Sequence, residues 1–437
     1  MTSKDSAAGG NRSSSEYFAW LLIAITLGLF IFNVVNNHFI GDDAYISFRY
    51  AAHMAEGHGL VWNVGDPPVE GYTNFLWVLM MAAGMKLGFL PELLSSAFGC
   101  ASGSAILYLL AWFSGRDAMW RTPSAWVAPL LLASSRSFSA WCTGGLETQF
   151  FALLLFSGLI TLVWEREQER LPLGSALLLG LAALTRPEGI LVITIAFVFI
   201  AVESRKRGLR FLAFSGGIVA VHLLWRLYYY GAWLPNTFHA KVNGFWFEQG
   251  LAYLALFQQD YKVLCYAWLL LLPLLVSRRR EHGLIASVVA IYLFYVVSVG
   301  GDRFEFRFLV HIFPLVYWLL AQGLWRLPTL LKSRPKLGHG AAWVLTVAIV
   351  GQHLLARAEP AVNFRNQVAT LHRIKSMTAA RVEQGKLLRQ LVLEEVLPDD
   401  LRISVRGAGA LPYHSQLYTL DYLGLSDKKI ASSDIKV

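Results

Sequence analysis

Apolar runs long enough to cross a bilayer follow one another along most of this 437-residue chain. A helix needs about 20 such residues to span the hydrocarbon core, and repeated runs of that length leave little sequence for anything else. With 55% hydrophobic and 15% charged residues, the chain lies outside the soluble globular range. The sequence therefore predicts a polytopic α-helical membrane protein. Candidate spans lie near 17–36, 73–90, 92–113, 122–140, 147–164, 171–185, 188–203, 211–230, 251–276, 283–299, 308–327 and 339–357. No small-residue cleavage pattern follows the first, so it reads as a retained anchor behind a cytoplasmic segment over 1–16.

Basic turns orient the spans. "SRKRGLR" at 204–210, "SRRREH" at 277–282 and "KSRPKLG" at 332–338 read as cytoplasmic. The opposite side then receives the first loop at 37–72, "TGGLET" at 143–148, "TRPEG" at 185–189, "LPNTFHAK" at 234–241, "GGDRFEFRF" at 300–308 and the tail. Twelve spans would return both ends to one side, so the number must be odd. About eleven are expected within 17–357, and 122–140, interrupted by "SSRSFS", is the segment least suited to cross. Residues 358–437 read as a small extracytoplasmic α/β unit. Phe364, Val368, Leu371 and Ile374 mark an amphipathic helix over 363–397. A strand at 402–405, a glycine turn with a short helix at 407–415 and a strand at 417–425 follow.

The formal charge of +9 belongs to the cytoplasmic turns and a basic tail, and no nucleic-acid motif accompanies it. Cys100, Cys142 and Cys265 are scattered without metal-ligand spacing and are expected in the core. No Walker loop, HExxH or GxSxG is present, so ATP-driven transport has no support.

The chemistry concentrates outside the cytoplasm. "GDDAYISFRY" places Asp42 and Asp43 at the start of a short surface helix over 43–56, stopped by Gly57. Capping needs one carboxylate. A second beside it, near a low-dielectric medium, tends to have its pKa raised into the range of a proton acceptor. One aspartate is thus expected to cap and the other to take a proton, and the sequence leaves open which does which. "VEGYTNFLW" adds Glu70, Tyr72, Thr73 and Asn74, donors and acceptors suited to a sugar, while Trp62 and Trp77 read as interfacial anchors. Arg186 with Glu188, Arg226, His239 with Lys241, and Asp302 with Arg303 and Arg307 map to the same side. Charges near bilayer depth are costly and are paired or functional, apart from those that snorkel. Several cations opposite a carboxylate pair suit a phosphate leaving group, which a lipid could carry.

"GDDAYISFRYAAHMAEGHGLVWNVGDPPVEGYTNFLW", "GGLET", "LTRPEG", "LYYYGAWLPNTFHAK", "VGGDRFEFRFLVHIFP" and "AGALPYHSQLYTLDYLGLSD" occur in this order in membrane glycosyltransferases of the GT-C superfamily, which the chain resembles over nearly its whole length. It is similar to the mycobacterial arabinofuranosyltransferases that use decaprenyl-phosphoryl arabinose. Without their large carbohydrate-binding C-terminal domain, it looks more like the type IV pilin arabinosyltransferase of pseudomonads. The resemblance implies a GT-C fold with its active site on the periplasmic face of the inner membrane. It also implies a polyprenyl-phosphate-linked sugar as donor and an acceptor hydroxyl on a pilin Ser or Thr or on a cell-envelope glycan. By position, Asp42 is implied as general base, with Asp43 orienting the acceptor or serving as the alternative base. Arg186, Arg226, Lys241 and Arg307 would neutralise the departing phosphate. Sugar and acceptor are expected at Glu70, Tyr72, Asn74, Glu147, Glu188, Asn236, His239 and Asp302. "GGDRFEFRFL" is shorter here than in related sequences. Asp42 and Asp43 offer two ligands to a divalent cation, but no third acidic ligand stands out and a monophosphate donor does not demand one. A lipid-linked sugar transporter or flippase is the alternative, since it too needs many spans and buried charges; it has no need of a carboxylate pair on an outer helix.

Overall fold

The computed structural model describes residues 14–116, 122–241, 244–277, 279–356, 364–365 and 368–432. Most of the expected cytoplasmic segment and most of the link from the last span to the tail lie outside the described residues. Among the described residues, five helices are long and apolar enough to cross a membrane: Ser14–Asn36, Pro91–Ser114, Thr148–Glu167, Arg205–Tyr230 and Arg280–Ser298. The chain is a multi-pass helical membrane protein.

Much of the remaining apolar sequence is cut into pieces shorter than the eleven spans require. Phe75–Lys86, Leu173–Thr185 and Gly189–Glu203 reach only about 18–23 Å at 1.5 Å per residue, against a hydrocarbon core of about 30 Å. The segment at 122–140 becomes a turn at Pro123–Trp126 and two short helices, Val127–Ser134 and Arg136–Ala140. It breaks at Ser135, which is extended and whose hydroxyl accepts the Phe138 N–H. Every residue from 127 to 140 is buried, so this stretch is core. The segment at 251–276 divides where Lys262 turns left-handed (φ 50°), between Phe247–Tyr261 and Trp268–Val276. Cys265 lies exposed in that turn, Cys100 is half-buried, and Cys142 alone of the three cysteines is buried.

Thr148–Glu167 runs through the centre, packed against Pro91–Ser114 and Leu173–Thr185. Gly99 lets the former approach the turn before Thr148 at backbone contact, since a Cβ there would stand 1.9 Å from the Cys142 carbonyl oxygen. Arg205–Tyr230 lies at the periphery and exposes Val221, Leu224 and Tyr228, as a helix facing lipid does. The two ends of the bundle differ in chemistry. At one, Arg166 pairs with Glu203 at 2.8 Å, Arg280 joins the same carboxylate, and Arg116 pairs with Glu167. The turns at 204–210 and 277–282 thereby gather together. The first loop, "TGGLET", residues 186–188 and residues 302–307 belong to the other end, with the tail.

In the tail, Phe364–Arg365 pairs antiparallel with Val368–Ala369 and the helix Leu371–Leu393 follows. Strands Arg402–Val405 and Tyr418–Asp421 pair in parallel, Arg402 opposite Tyr418. A parallel pair needs a crossover, and the helix Ala410–Ser415 supplies it. This unit docks on the first loop through polar groups. Arg49, buried on the helix Ala44–Ala55, donates to the carbonyls of Trp62 (2.8 Å), Pro412 (2.6 Å) and Leu417 (3.0 Å) and to Asn63 Oδ1 (3.1 Å). Trp62 Nε1 donates to the Thr419 carbonyl at 2.9 Å, and Trp77 Nε1 to that of Gly145 at 3.2 Å. Both indoles are buried, so the two expected interfacial anchors serve internal contacts instead. Losing a charged donor to several buried carbonyls costs about 3 kcal/mol. Arg49→Met should lower the thermal midpoint in detergent and open the Leu371–Leu393 helix to proteolysis; an unchanged midpoint and cleavage pattern would show that the dock does not depend on Arg49.

Candidate active site

Asp42 lies at a seam. From the bundle side, the Phe39 N–H donates to Thr143 Oγ1 at 3.2 Å and the Gly41 N–H to the Gly144 carbonyl at 3.0 Å, fixing the strand of loop that ends at the aspartates. The helix Ala44–Ala55 starts immediately after them, within a residue of the expected boundary. Asp43 holds the N-cap position, yet its backbone is already helical (φ −61°, ψ −22°) and its side chain makes no cap hydrogen bond. A capping side chain folds back from an extended residue, which this geometry denies, so neither aspartate caps this helix as expected. Among the described residues the Asp43 carboxylate has no hydrogen bond or ion pair.

Asp42 caps a different helix. Its Oδ1 accepts the N–H of Ala410, first residue of Ala410–Ser415, at 2.9 Å, and Oδ2 is ion-paired with Arg381 of the long tail helix. The carboxylate is buried, with 6% of the residue exposed. Burial pushes its pKa above the usual carboxylate range. Arg381 and the Ala410 amide pull back against this, and the neighbouring charge of Asp43 adds to it.

A second polar chain runs inward. Ser47 and Asn74 exchange hydrogen bonds at 3.0 and 3.2 Å, and Asn74 Nδ2 donates to Glu147 at 2.7 Å. Glu147 pairs with Arg186 at 2.5 Å, and Arg186 pairs with Glu188 at 2.8 Å. The Tyr295 hydroxyl donates to Glu188 at 3.2 Å. Nearby, Arg226 pairs with Glu70 at 2.7 Å and also contacts His222 at 3.0 Å, while the Tyr72 and Tyr230 hydroxyls meet at 3.0 Å. Burial raises the pKa of Glu70 to about 7 despite Arg226. Arg307 pairs with Asp302 at 2.6 Å. Arg186 and Arg307 both lie over the Phe308 ring.

The structure thus gathers Asn74, Glu147, Arg186 and Glu188 in one network and joins Glu70 to Arg226 and Asp302 to Arg307. All three of these arginines already face a carboxylate. Asn236 serves the tail, donating to the carbonyls of Gly424 (2.7 Å) and Leu425 (3.0 Å). His239 and Lys241 fall on the helix Asn236–Lys241, but their side chains lie outside the described residues. Among the described residues no three His, Cys, Asp or Glu side chains group as metal ligands do.

Crystal structures of ArnT from Cupriavidus metallidurans, bound to undecaprenyl phosphate and in the apo state, match with a TM-score of 0.60. They share 14% and 13% identity, covering 94% of this chain and 86% of theirs. The fold is that of ArnT. The terminal beta-(1->2)-arabinofuranosyltransferase of Mycobacterium tuberculosis (strain ATCC 25618 / H37Rv) is 26% identical over 296 residues, 62% of this chain and 46% of that protein. The chain therefore matches about half the length of that curated relative. A family described as a domain of unknown function, DUF8728, matches residues 373–436.

Sequence reasoning about this chain missed Arg381, which looked like one more basic residue on an amphipathic helix. It also missed the buried set in which Arg136 and Ser137 both donate to Glu305, at 3.0 and 2.7 Å. Glu305 belongs to "GGDRFEFRF", a segment singled out for its neighbours Asp302 and Arg307. The pair of Arg226 with Glu70 makes a pH-dependent prediction. Arg226→Leu removes the charge that holds the Glu70 pKa down, so Glu70 stays protonated to higher pH. A carboxyl whose folded pKa is raised contributes stability that is present at low pH and lost as pH rises through that value. Measured as thermal unfolding in detergent, the deficit of Arg226→Leu should be small at pH 6 and grow by about 1.4 kcal/mol per pH unit above 7; a deficit independent of pH would show that Glu70 does not titrate there.

Proposed function

We propose that this chain is a GT-C membrane glycosyltransferase of the inner membrane, working on its periplasmic face. It transfers a sugar, D-arabinofuranose, from a polyprenyl-phosphate donor to a hydroxyl of an acceptor outside the cytoplasm, a pilin Ser or Thr or a cell-envelope glycan. The observation that carries this reading is the Asp42 carboxylate, buried and held by two donors at the end of the bundle opposite the basic turns. The positive-inside rule puts those turns in the cytoplasm and Asp42 outside. The name of the mycobacterial relative supports the sugar, and the undecaprenyl phosphate in the ArnT structure supports a lipid-linked donor.

An apolar groove of ≈ 650 Å³ also favours a lipid donor. Phe75, Leu184, Phe214, Ile218 and Trp225 line it, together with His222. His222 touches Arg226, so an isoprenoid chain lying in the groove brings its phosphate toward that guanidinium. In the reaction the acceptor oxygen bonds to the anomeric carbon and its proton passes to Asp42. The carbon–oxygen bond to phosphate breaks, and polyprenyl phosphate leaves with the bonding pair. Negative charge grows on the phosphate as it departs, and Arg226, Arg186, Lys241 and Arg307 are the cations to stabilise it. The three arginines are already paired, so the phosphate shares them with Glu70, Glu147, Glu188 and Asp302. Asp43, with its free carboxylate, orients the acceptor.

Membranes given polyprenyl-phosphoryl arabinose with labelled sugar test this. The wild-type chain should form labelled glycoside, Asp42→Asn should lose about 10²–10⁴-fold of the rate, and Asp43→Asn should lose less. Undiminished transfer by both variants removes the carboxylates from catalysis, and movement of labelled donor across a reconstituted bilayer without glycoside identifies a flippase instead.

A further inference from the structure

We propose that the C-terminal unit is part of the catalytic centre, with Arg381 and the Ala410 amide as the positioning groups that hold and aim the Asp42 carboxylate. The inference rests on the reading of Asp42 as general base. It gives a task to the tail, most of which is matched by a domain of unknown function.

Four observations carry it. First, the two donors take opposite oxygens of the carboxylate, the amide on Oδ1 and the guanidinium on Oδ2, which fixes the plane of the group as well as its position. Second, the turn that presents the amide is shaped around this contact. A Cβ on Gly409 would stand 2.0 Å from the Asp42 carbonyl oxygen, and one on Gly407 would stand 2.3 Å from Arg381 Cζ. Only glycine at 409 lets loop and turn close together, and at 407 a side chain would push the guanidinium from its place. Third, the clamp is fixed to the loop it serves, because Arg49, Trp62 and Asn63 bond to the carbonyls of Pro412, Leu417 and Thr419 beyond the amide. The long helix is held against the short one in turn, since a Cβ on Gly385 would meet the Leu411 carbonyl oxygen at 2.7 Å. Fourth, the pair is not fully enclosed. The side chains of the pair are 28% exposed at Arg381 and 9% at Asp42, so the clamp is not sealed from solvent on its Arg381 side.

The electrostatic consequence has a definite sign. Buried in this seam without partners, Asp42 would take up a proton and could not accept one. The groups that act on it are Arg381, the Ala410 amide, Asp43 and, on the helix Ala44–Ala55, Tyr45. Arg381 alone among them is a cation. Its charge favours the ionised carboxylate, and removing it leaves Asp43 and burial to drive the carboxyl toward its neutral form.

The experiment is the pH–rate profile of transfer from polyprenyl-phosphoryl arabinose by the full-length protein in membranes. Arg381→Gln should move the acid limb up by about one pH unit or more, with the rate recovering toward wild type at alkaline pH and the donor KM unchanged. Arg381→Lys should return most of the limb. A purely architectural role would instead lower the rate at every pH, and an acid limb that stays in place in Arg381→Gln overturns the proposal. Should Arg381→Gln not accumulate, Gly407→Ala displaces the guanidinium without removing its charge and should move the limb the same way by a smaller amount; an unmoved limb there overturns it equally. Asp42→Asn separates the two levels. If that variant is fully active the base assignment fails, whereas if it is inactive and the Arg381 limb is unmoved only the role of the tail fails.

Discussion

Charge enclosed between apolar helices has to find its partner inside the protein, and in this chain that requirement decides which distant segments meet. Arg186 is held between Glu147 and Glu188, Arg226 reaches back to Glu70, and Arg136 reaches forward to Glu305. The last two pairs span 156 and 169 residues of sequence. Such pairs add little net stability, because desolvation offsets most of the attraction, but breaking one so that a charge is left buried and unpaired costs about 3–5 kcal/mol. They therefore penalise wrong arrangements of the bundle far more than they reward the right one. Glu147 shows the effect in detail: taking Asn74 on one oxygen and Arg186 on the other, it ties the entry to Phe75–Lys86 to the exit from Leu173–Thr185.

The same constraint bears on any anion that enters. Arg186, Arg226 and Arg307 are preorganised, since carboxylates hold them in place before a ligand arrives, but a phosphate must compete with those carboxylates. Of the three pairs, the one between Arg226 and Glu70 yields most readily. Glu70 has a pKa near neutrality, so protonating it releases the guanidinium at little cost, and His222 places that guanidinium at the edge of the apolar groove.

Local signals in the sequence were legible where local physics decides the structure. The helix after the aspartates begins at Ala44 and ends at Ala55, as its glycine stop implied, and both predicted tail strands occur with the short helix between them. The basic turns at 204–210 and 277–282 share one end because every short turn there follows the same alternation of helices. The limits of the spans were less legible. Apolar content does not register a break such as Ser135 or a left-handed Lys262, and it cannot separate a stretch buried in protein, like 127–140, from one bathed in lipid. The partners of Asp42 were out of reach for a different reason. They lie at 381 and 410, and the capping argument assumed that an aspartate before a helix serves that helix. Asp42 obeys the capping rule for Ala410–Ser415, a helix more than 360 residues downstream.

That displacement of a cap across the chain explains why so small a tail is tied so firmly to the first loop. A carboxylate buried at an interface is favourable only while both sides are present: the loop brings the negative charge, and the tail brings the amide and the guanidinium that make its burial tolerable. Separation would leave the charge half-solvated beside Asp43, with repulsion uncompensated and Arg381 unpaired. Arg49 closes the same seam from the loop side with donors to tail carbonyls, so each unit supplies a charge that the other satisfies. Docking of the tail and burial of the Asp42 carboxylate thus rest on the same contacts across one seam.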